Sequence, residues 1–310
     1  MTRVARRGRA PRNPADFVLT ARLREPVRFT DLSERLALKL SALPGYLSRA
    51  HFEVWHRRVG APDFADFRGV FTPLVHVDLA VTDLPMGSPA MRRAVHVRGQ
   101  THLGKTLDAS GGVRHLAREG LYEVSAESGA LVGRARFVNV FTRYDADPAR
   151  RRVTELPAEM RLGSVPSRLV DVPDVAELLR AAGSRAADLS DERAHVWHYT
   201  QTDANRHVNG MEYLRGMEDF VADALATRGH DLRRLYPARA RIVYRKPCFR
   251  GERYRRIAWL LTDEPPVLVG IVRKEGDPTD APPAVAIELS FAAHAGDASA
   301  PSPAGPRATS

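Results

Sequence analysis

Cysteine is nearly absent from this chain: Cys248 stands alone among 310 residues, so no internal disulfide can form and a reducing cytoplasm is the expected setting. Long apolar runs are missing too. No stretch of about 18 apolar residues occurs, which excludes a membrane-spanning helix. The basic N-terminus has Val4, Ala5 and Ala10 but no apolar core of a secretory leader, and so argues against export. Lysine is scarce, at Lys39, Lys105, Lys246 and Lys274, so the net charge of +10 is carried by arginine. Such a balance favours an acidic partner or a phosphate-bearing ligand. Nucleic acid would be attracted as well, but the chain has no helix-turn-helix, zinc-finger or aromatic RNA-binding signature. Its arginines are also dispersed, apart from Arg3, Arg6, Arg7, Arg9 and Arg12. Metal ligation finds no basis, because His195 and His198 point to opposite faces of a strand and lack a third ligand. Gly111-Gly112 lacks the ending and spacing of a phosphate loop. No cofactor is implied.

The chemistry is concentrated in one segment. Thr202-Asp203-Ala204-Asn205-Arg206-His207-Val208-Asn209-Gly210-Met211-Glu212-Tyr213 packs a carboxylate, two amides and an imidazole into seven positions. Before it, residues 194–199 alternate like a half-buried strand. After it, Val208, Met211, Leu214, Met217, Val221 and Leu225 recur at helical spacing, predicting a helix over about 207–228. A polar cluster at such a turn sits at the positive end of the helix dipole, among backbone N–H groups suited to a developing oxyanion. Read one at a time, Asp203 and Asn205 also suit plain turn or cap positions, and His207 a surface histidine.

Two blocks of the same order lie along the chain. The first runs through residues 27–31, a helix from about Ser41 to Val59, and strand-like runs at 71–84, 91–106, 112–126 and 130–144. The second has a strand ending at Thr200, the helix after the turn, and runs at 238–248, 253–262, 266–273 and 283–294. Leu40, Leu43, Leu47, Ala50 and Val54 form the first helix stripe, Ser41 can cap it, and Pro44 is tolerated in the first turn. A faint repeat aligns Thr30-Asp31 before Tyr46-Leu47 with Thr202-Asp203 before Tyr213-Leu214, with five more residues in the first copy. The expected division is a disordered basic arm at 1–22, a first repeat at 23–157, a linker at 158–190, a second repeat at 191–295 and a disordered tail at 296–310. On the first helix, His51, Glu53 and His56 read as solvated. Cys248 reads as a buried small hydrophobe.

The wording of the polar turn resembles the hotdog-fold thioesterases, above all the acyl-acyl carrier protein thioesterases, whose second hotdog carries Asp-x-Asn-x-His-Val-Asn-Asn-x-x-Tyr. Asp203, Asn205, His207, Val208, Asn209 and Tyr213 fit residue by residue, while Gly210 replaces the second Asn of the pair. Residues 129–141 and the basic run 150–152 before Pro157 are similar to the end of that family's first hotdog, so the likeness spans most of residues 25–292. It implies an α+β tandem (double) hotdog, each half an antiparallel sheet wrapped around a long central helix. The chain would be a monomeric pseudo-dimer or a homodimer of such tandems.

The implied activity is hydrolysis of acyl thioesters of acyl carrier protein or coenzyme A, in fatty acid or polyketide biosynthesis. Asp203, Asn205 and His207 would be catalytic, and Asn209, Tyr213, Arg245 and Lys246 would meet the substrate. One active site per chain is expected, since residues 32–40 offer no His or Asn. One departure stands out. Plant-type members carry Tyr-Arg-Arg-Glu-Cys on the strand after the helix, and that Glu works with the His on water. This chain reads Tyr244-Arg245-Lys246-Pro247-Cys248. Either Asp203 supplies the base or nucleophile, or the protein is a non-hydrolytic hotdog enzyme (acyltransferase, dehydratase or cyclase), or a non-catalytic acyl-thioester binder.

Overall fold

The structure is a computed structural model and describes residues 18–59, 69–86, 93–143, 145, 147, 150–156, 166–278 and 280–294. Its strands are β1 (Val18–Pro26), β2 (Val70–Phe71), β3 (Leu74–Val81), β4 (Ala94–Leu107), β5 (Val113–Ala126), β6 (Leu131–Val140), β7 (Thr142–Arg143), β8 (Leu189–Ser190), β9 (His195–Val196), β10 (Leu235–Tyr244), β11 (Arg253–Asp263), β12 (Pro266–Lys274) and β13 (Val285–Ala293). Helices α1 (Leu43–Val59), α2 (Val175–Leu179) and α3 (Gly210–Thr227) complete it. One antiparallel sheet runs β1-β4-β5-β6-β3-β10-β13-β12-β11-β8, with β9 also on β11. Among the described residues, no helix is long and apolar enough to cross a membrane.

Alternation along the strands sends one set of side chains to a common core. Val77, Leu79, Ala240, Ile242, Ile287 and Leu289 are almost wholly buried there, against Leu43, Leu47 and Ala50 of α1 and Leu214, Met217, Val221 and Leu225 of α3. The expected helical stripes therefore face the sheet, save Val54, whose side chain lies outside the described residues. The middle of the sheet is the β3–β10 pairing, with Val77 opposite Ile242 and Leu79 opposite Ala240. α3 reaches the 3-10 turn Leu40–Ala42 that leads into α1.

Several boundaries differ from expectation. Residues 18–22, placed in a disordered arm, belong to β1, whose Leu19, Ala21 and Leu23 turn inward while Arg22 and Arg24 stay exposed. The strand expected at 27–31 is instead a 3-10 turn, Phe29–Asp31. Much of the expected linker is built into the fold. Val170 packs on Ala117 and Val138, α2 lays Val175 and Leu178 over Val243, Ile271 and Ala286, and β8 pairs with β11. His51 is buried rather than solvated, with Nδ1 2.9 Å from the Tyr122 hydroxyl and Nε2 2.8 Å from Asn139 Oδ1. Burial, with the Arg118 charge beside it, pushes its pKa well below the ordinary range, so the ring is neutral. Sequence periodicity could not show this, since a helix has an inward polar position only where the sheet supplies partners. Glu53 and His56 lie outside the described side chains.

The repeat has a different register from the one read in the sequence. Ser33 N donates to Ala37 O at 2.8 Å as Asp203 N does to His207 O at 3.1 Å. Leu36 N meets Ser33 O at 2.9 Å as Arg206 N meets Asp203 O at 2.9 Å, and Lys39 N meets Asp31 O as Asn209 N meets Gln201 O. Leu36 and Arg206 both take the left-handed conformation, at φ 62° and 65°. Ser33, not Asp31, is thus the backbone counterpart of Asp203, and this turn has the same length in both places.

Candidate active site

The polar segment forms a closed turn rather than the end of a long strand. β9 stops at Val196, a 3-10 turn covers Tyr199–Gln201, and the chain folds back so that Thr202 bridges Val208. Asp203 Oδ1 accepts the Asn205 N–H at 2.8 Å, an Asx turn that sets up the left-handed Arg206. α3 starts at Gly210, later than expected, because Asn209 takes the N-cap position and its side-chain oxygen accepts the Met211 N–H at 2.9 Å.

The turn is fastened from beneath. Val208 N donates to Cys248 O at 2.8 Å, and Cys248 N donates to the Tyr213 hydroxyl at 3.1 Å. Tyr244 donates its hydroxyl to Gly210 O at 3.0 Å. Gly210 is fitted to that contact, since a Cβ there would stand 3.1 Å from the Tyr244 oxygen. Trp197 stacks on Tyr254 at 3.9 Å and meets Tyr213 edge-on. Cys248 itself is fully buried, and burial pushes its thiol up from the ordinary range, so it acts as packing and not as a nucleophile. The positioning roles of Tyr244, Trp197 and Tyr254 carry no signal in the sequence; they follow from β10 and β11 passing under the turn.

Asp203 and His207 come together above this base. Asp203 Oδ1 lies 3.8 Å from His207 Nδ1, and both side chains are half-buried. His207 Nδ1 is also 3.2 Å from Val208 O, which can only accept. In a neutral ring the proton is therefore placed on Nδ1, leaving Nε2 as the acceptor. Asn205 projects into solvent beside them. Tyr213 is buried and its hydroxyl engaged with Cys248. Lys246 pairs with Asp277 at 3.2 Å, and Arg245 is exposed while its N–H holds Ala284 O. Pro247 is exposed. Continuing the His207–Phe249 bridge by two residues sets it opposite Asn209.

No protein-family model and no curated protein sequence matches the chain. Solved structures do. The 12:0-ACP thioesterase from Umbellularia californica superposes with a TM-score of 0.61 at 14% identity, covering 88% of this chain and 97% of that one. A protein assigned as an oleoyl thioesterase from Lactobacillus plantarum gives 0.64 at 13% identity, over 90% and 98%. An acyl-ACP thioesterase from Bacteroides thetaiotaomicron gives 0.60 at 14% identity, over 88% and 98%. The chain has the hotdog fold that these thioesterases share.

Proposed function

We propose that the protein hydrolyses acyl thioesters carried by acyl carrier protein or coenzyme A, and that it is a tandem of two hotdog halves, the first holding β1 to β7 and the second β8 to β13. The observation that carries the activity is the Asp203–His207 pair held at the amino end of α3 by a turn anchored to Cys248. Support for the tandem comes from the matching turns at 32–39 and 202–209 and from the β3–β10 pairing in mid-sheet. The likeness of the whole fold to thioesterases adds to both.

In this reading the thioester carbonyl lies over the start of α3, where the Gly210 N–H, with the Asn205 amide, takes the oxyanion, since the Val208 and Asn209 N–H groups are given to Cys248 O and Gln201 O. Asp203 activates water or attacks directly. His207, with Nε2 free, shuttles the proton to the departing thiolate, and the Asp203 charge steadies the imidazolium. Asn209 and Tyr213 keep the turn in shape at the edge of the acyl cavity. Arg245 and Lys246 stand where a pantetheine or nucleotide phosphate would approach, and the positive net charge draws in an acidic carrier.

The test is free acid released from short and long acyl thioesters of both carriers. Asp203→Asn is expected to lower kcat by at least about 100-fold, the scale of losing a positioned proton acceptor, with binding retained. His207→Ala is expected to fall as far. Undiminished turnover in a folded Asp203→Asn would assign the water to His207 alone, and an inactive wild type would defeat the hydrolase reading.

A further inference from the structure

Two aromatic residues stand out from the surface beside the Asp203–His207 turn. Tyr199, in the 3-10 turn before it, is 73% exposed, and Phe249, which bridges His207, is 43% exposed. Paired residues of this kind have Cβ atoms about 5 Å apart, so Phe249 emerges next to the imidazole. Three residues separate Tyr199 from Thr202, which bridges Val208, so the two Cα atoms lie no more than about 11 Å apart. The turn is held from beneath by Tyr213, Tyr244 and Cys248, and neither exposed ring takes part. Among the described residues the Tyr199 hydroxyl makes no hydrogen bond and its ring joins no aromatic pair; the Arg250 guanidinium lies over it, 5.9 Å from the centroid. Arg206, Arg245 and Arg250 are exposed here and have no acidic partner among the described residues. Arg206 holds its place in a left-handed conformation that glycine or asparagine adopts at less cost.

The first half supplies a comparison within the same chain. Phe29 stands to its turn as Tyr199 does, and Ala37 bridges Pro85 as His207 bridges Phe249. Phe29 is 74% exposed, but Leu36, Pro85 and Met86 occupy the places of Arg206, Phe249 and Arg250, and Met86 is buried. An exposed ring at this point is thus a property of the repeat. The second ring and the arginines occur in the half that carries the Asp203–His207 pair.

A flat apolar face beside unpaired guanidinium groups suits a ligand that is both flat and anionic. A nucleobase stacks on an aromatic ring, and phosphate takes the forked donors of arginine. The acidic surface of a carrier protein has the charge without the flat ring. It would also meet Glu252, Glu275 and Asp277, which lie among the arginines in pairs with Lys274, Arg253 and Lys246. We infer that Tyr199, Phe249, Arg206 and Arg250 form a platform for the nucleotide end of coenzyme A, so that the acyl group arrives on coenzyme A and not on a carrier protein. The inference rests on the hydrolase reading above and narrows it to one carrier. The adenine lies on Tyr199, Arg250 and Arg206 take the phosphates, and the pantetheine arm passes Phe249 to bring the thioester to His207.

Two measurements on the full chain test this. The first is calorimetric binding of adenosine 3′,5′-bisphosphate, which has no thioester. Saturable binding is expected, weakened at least about tenfold by Tyr199→Ala or Arg250→Gln, kept by Tyr199→Phe and unaffected by Phe29→Ala. No binding, or an equal loss in Phe29→Ala, would overturn the platform. The second is kcat/KM for one acyl group on coenzyme A, on pantetheine and on acyl carrier protein. Coenzyme A is expected to exceed pantetheine at least about tenfold, through KM, and Tyr199→Ala to bring that ratio near one. A merely structural role for Tyr199 would lower both rates, leave the ratio standing and overturn the inference. A loss confined to the carrier-protein thioester would also overturn it, and in either case the hydrolase reading survives. Bisphosphate binding that Tyr199→Ala removes, in a wild type that hydrolyses none of the three, would defeat the hydrolase reading and leave the nucleotide platform standing. Neither binding nor hydrolysis would defeat both.

Discussion

Gly210 and Pro247 show how single residues shape the turn. Gly210 departs from the thioesterase wording, and a Cβ there would stand 3.1 Å from the Tyr244 hydroxyl, so a larger residue requires that side chain to give by a few tenths of an ångström. Pro247 departs at the position where a base would stand, and it is exposed opposite Asn209. Side chains opposite one another on paired segments lie with their Cβ atoms about 5 Å apart, so Pro247→Glu would bring a carboxylate beside Asn209 and close to His207. If Asp203 and His207 already handle the water, that variant is expected to change hydrolysis by less than about threefold, or to slow it through the repulsion of a second carboxylate beside the pair. A wild type without hydrolysis whose variant gains it would mean that the proline had removed the reaction. The sequence made Asp203, Asn205 and His207 legible as a group because they are adjacent in the chain. It could not separate Asn209 and Tyr213 from them, since a cap and a buried phenol use the same residue types as a binding site.

Among the elements, the strands with a clear alternation and the two long helices were legible, and the edge strands were not. β1 alternates correctly, but Val18 to Arg22 adjoin the basic N-terminal run and read as the end of the arm. β8 and β9 are two residues each and owe their place to β11 and to one ion pair. Arg256 donates to Asp191 at 3.0 and 2.9 Å, to Gly216 O of α3 at 2.6 Å, and stacks over Phe220, so it ties sheet edge to helix. Burial would raise the Asp191 carboxyl, but the Arg256 side chain and N–H, with His195 beyond, hold it below its ordinary value. Asp191→Asn is therefore expected to cost about 3 kcal/mol at pH 7, as for a buried pair broken on one side. The sign follows from the lowered pKa: the contribution is present above the unfolded carboxyl's value near 4 and is lost as pH falls through the folded one. Denaturant midpoints of wild type and variant should converge below about pH 3. A constant gap across that range would mean that the loss is one of packing and not of charge.

At the scale of the whole molecule, the question is whether the two halves are separable. The β3–β10 pairing lies in mid-sheet, and the helices of both halves feed one core. Val77 and Ile242, opposite one another there, are both fully buried. Neither half could lose this strand pair without exposing the apolar floor beneath its own helix, so the chain is expected to unfold in a single transition, with calorimetric and van't Hoff enthalpies equal. Ile242→Ala deletes buried volume at the seam and is expected to cost about 3 kcal/mol. For a chain of this length, a loss of that size shifts Tm by about 5 °C. The shape of the trace decides more than its midpoint. One peak displaced downward means that the seam belongs to a common folding unit, as the shared core requires. A trace that splits, with one peak left at the wild-type temperature, would mean that each half holds its own fold and that β3 and β10 merely touch.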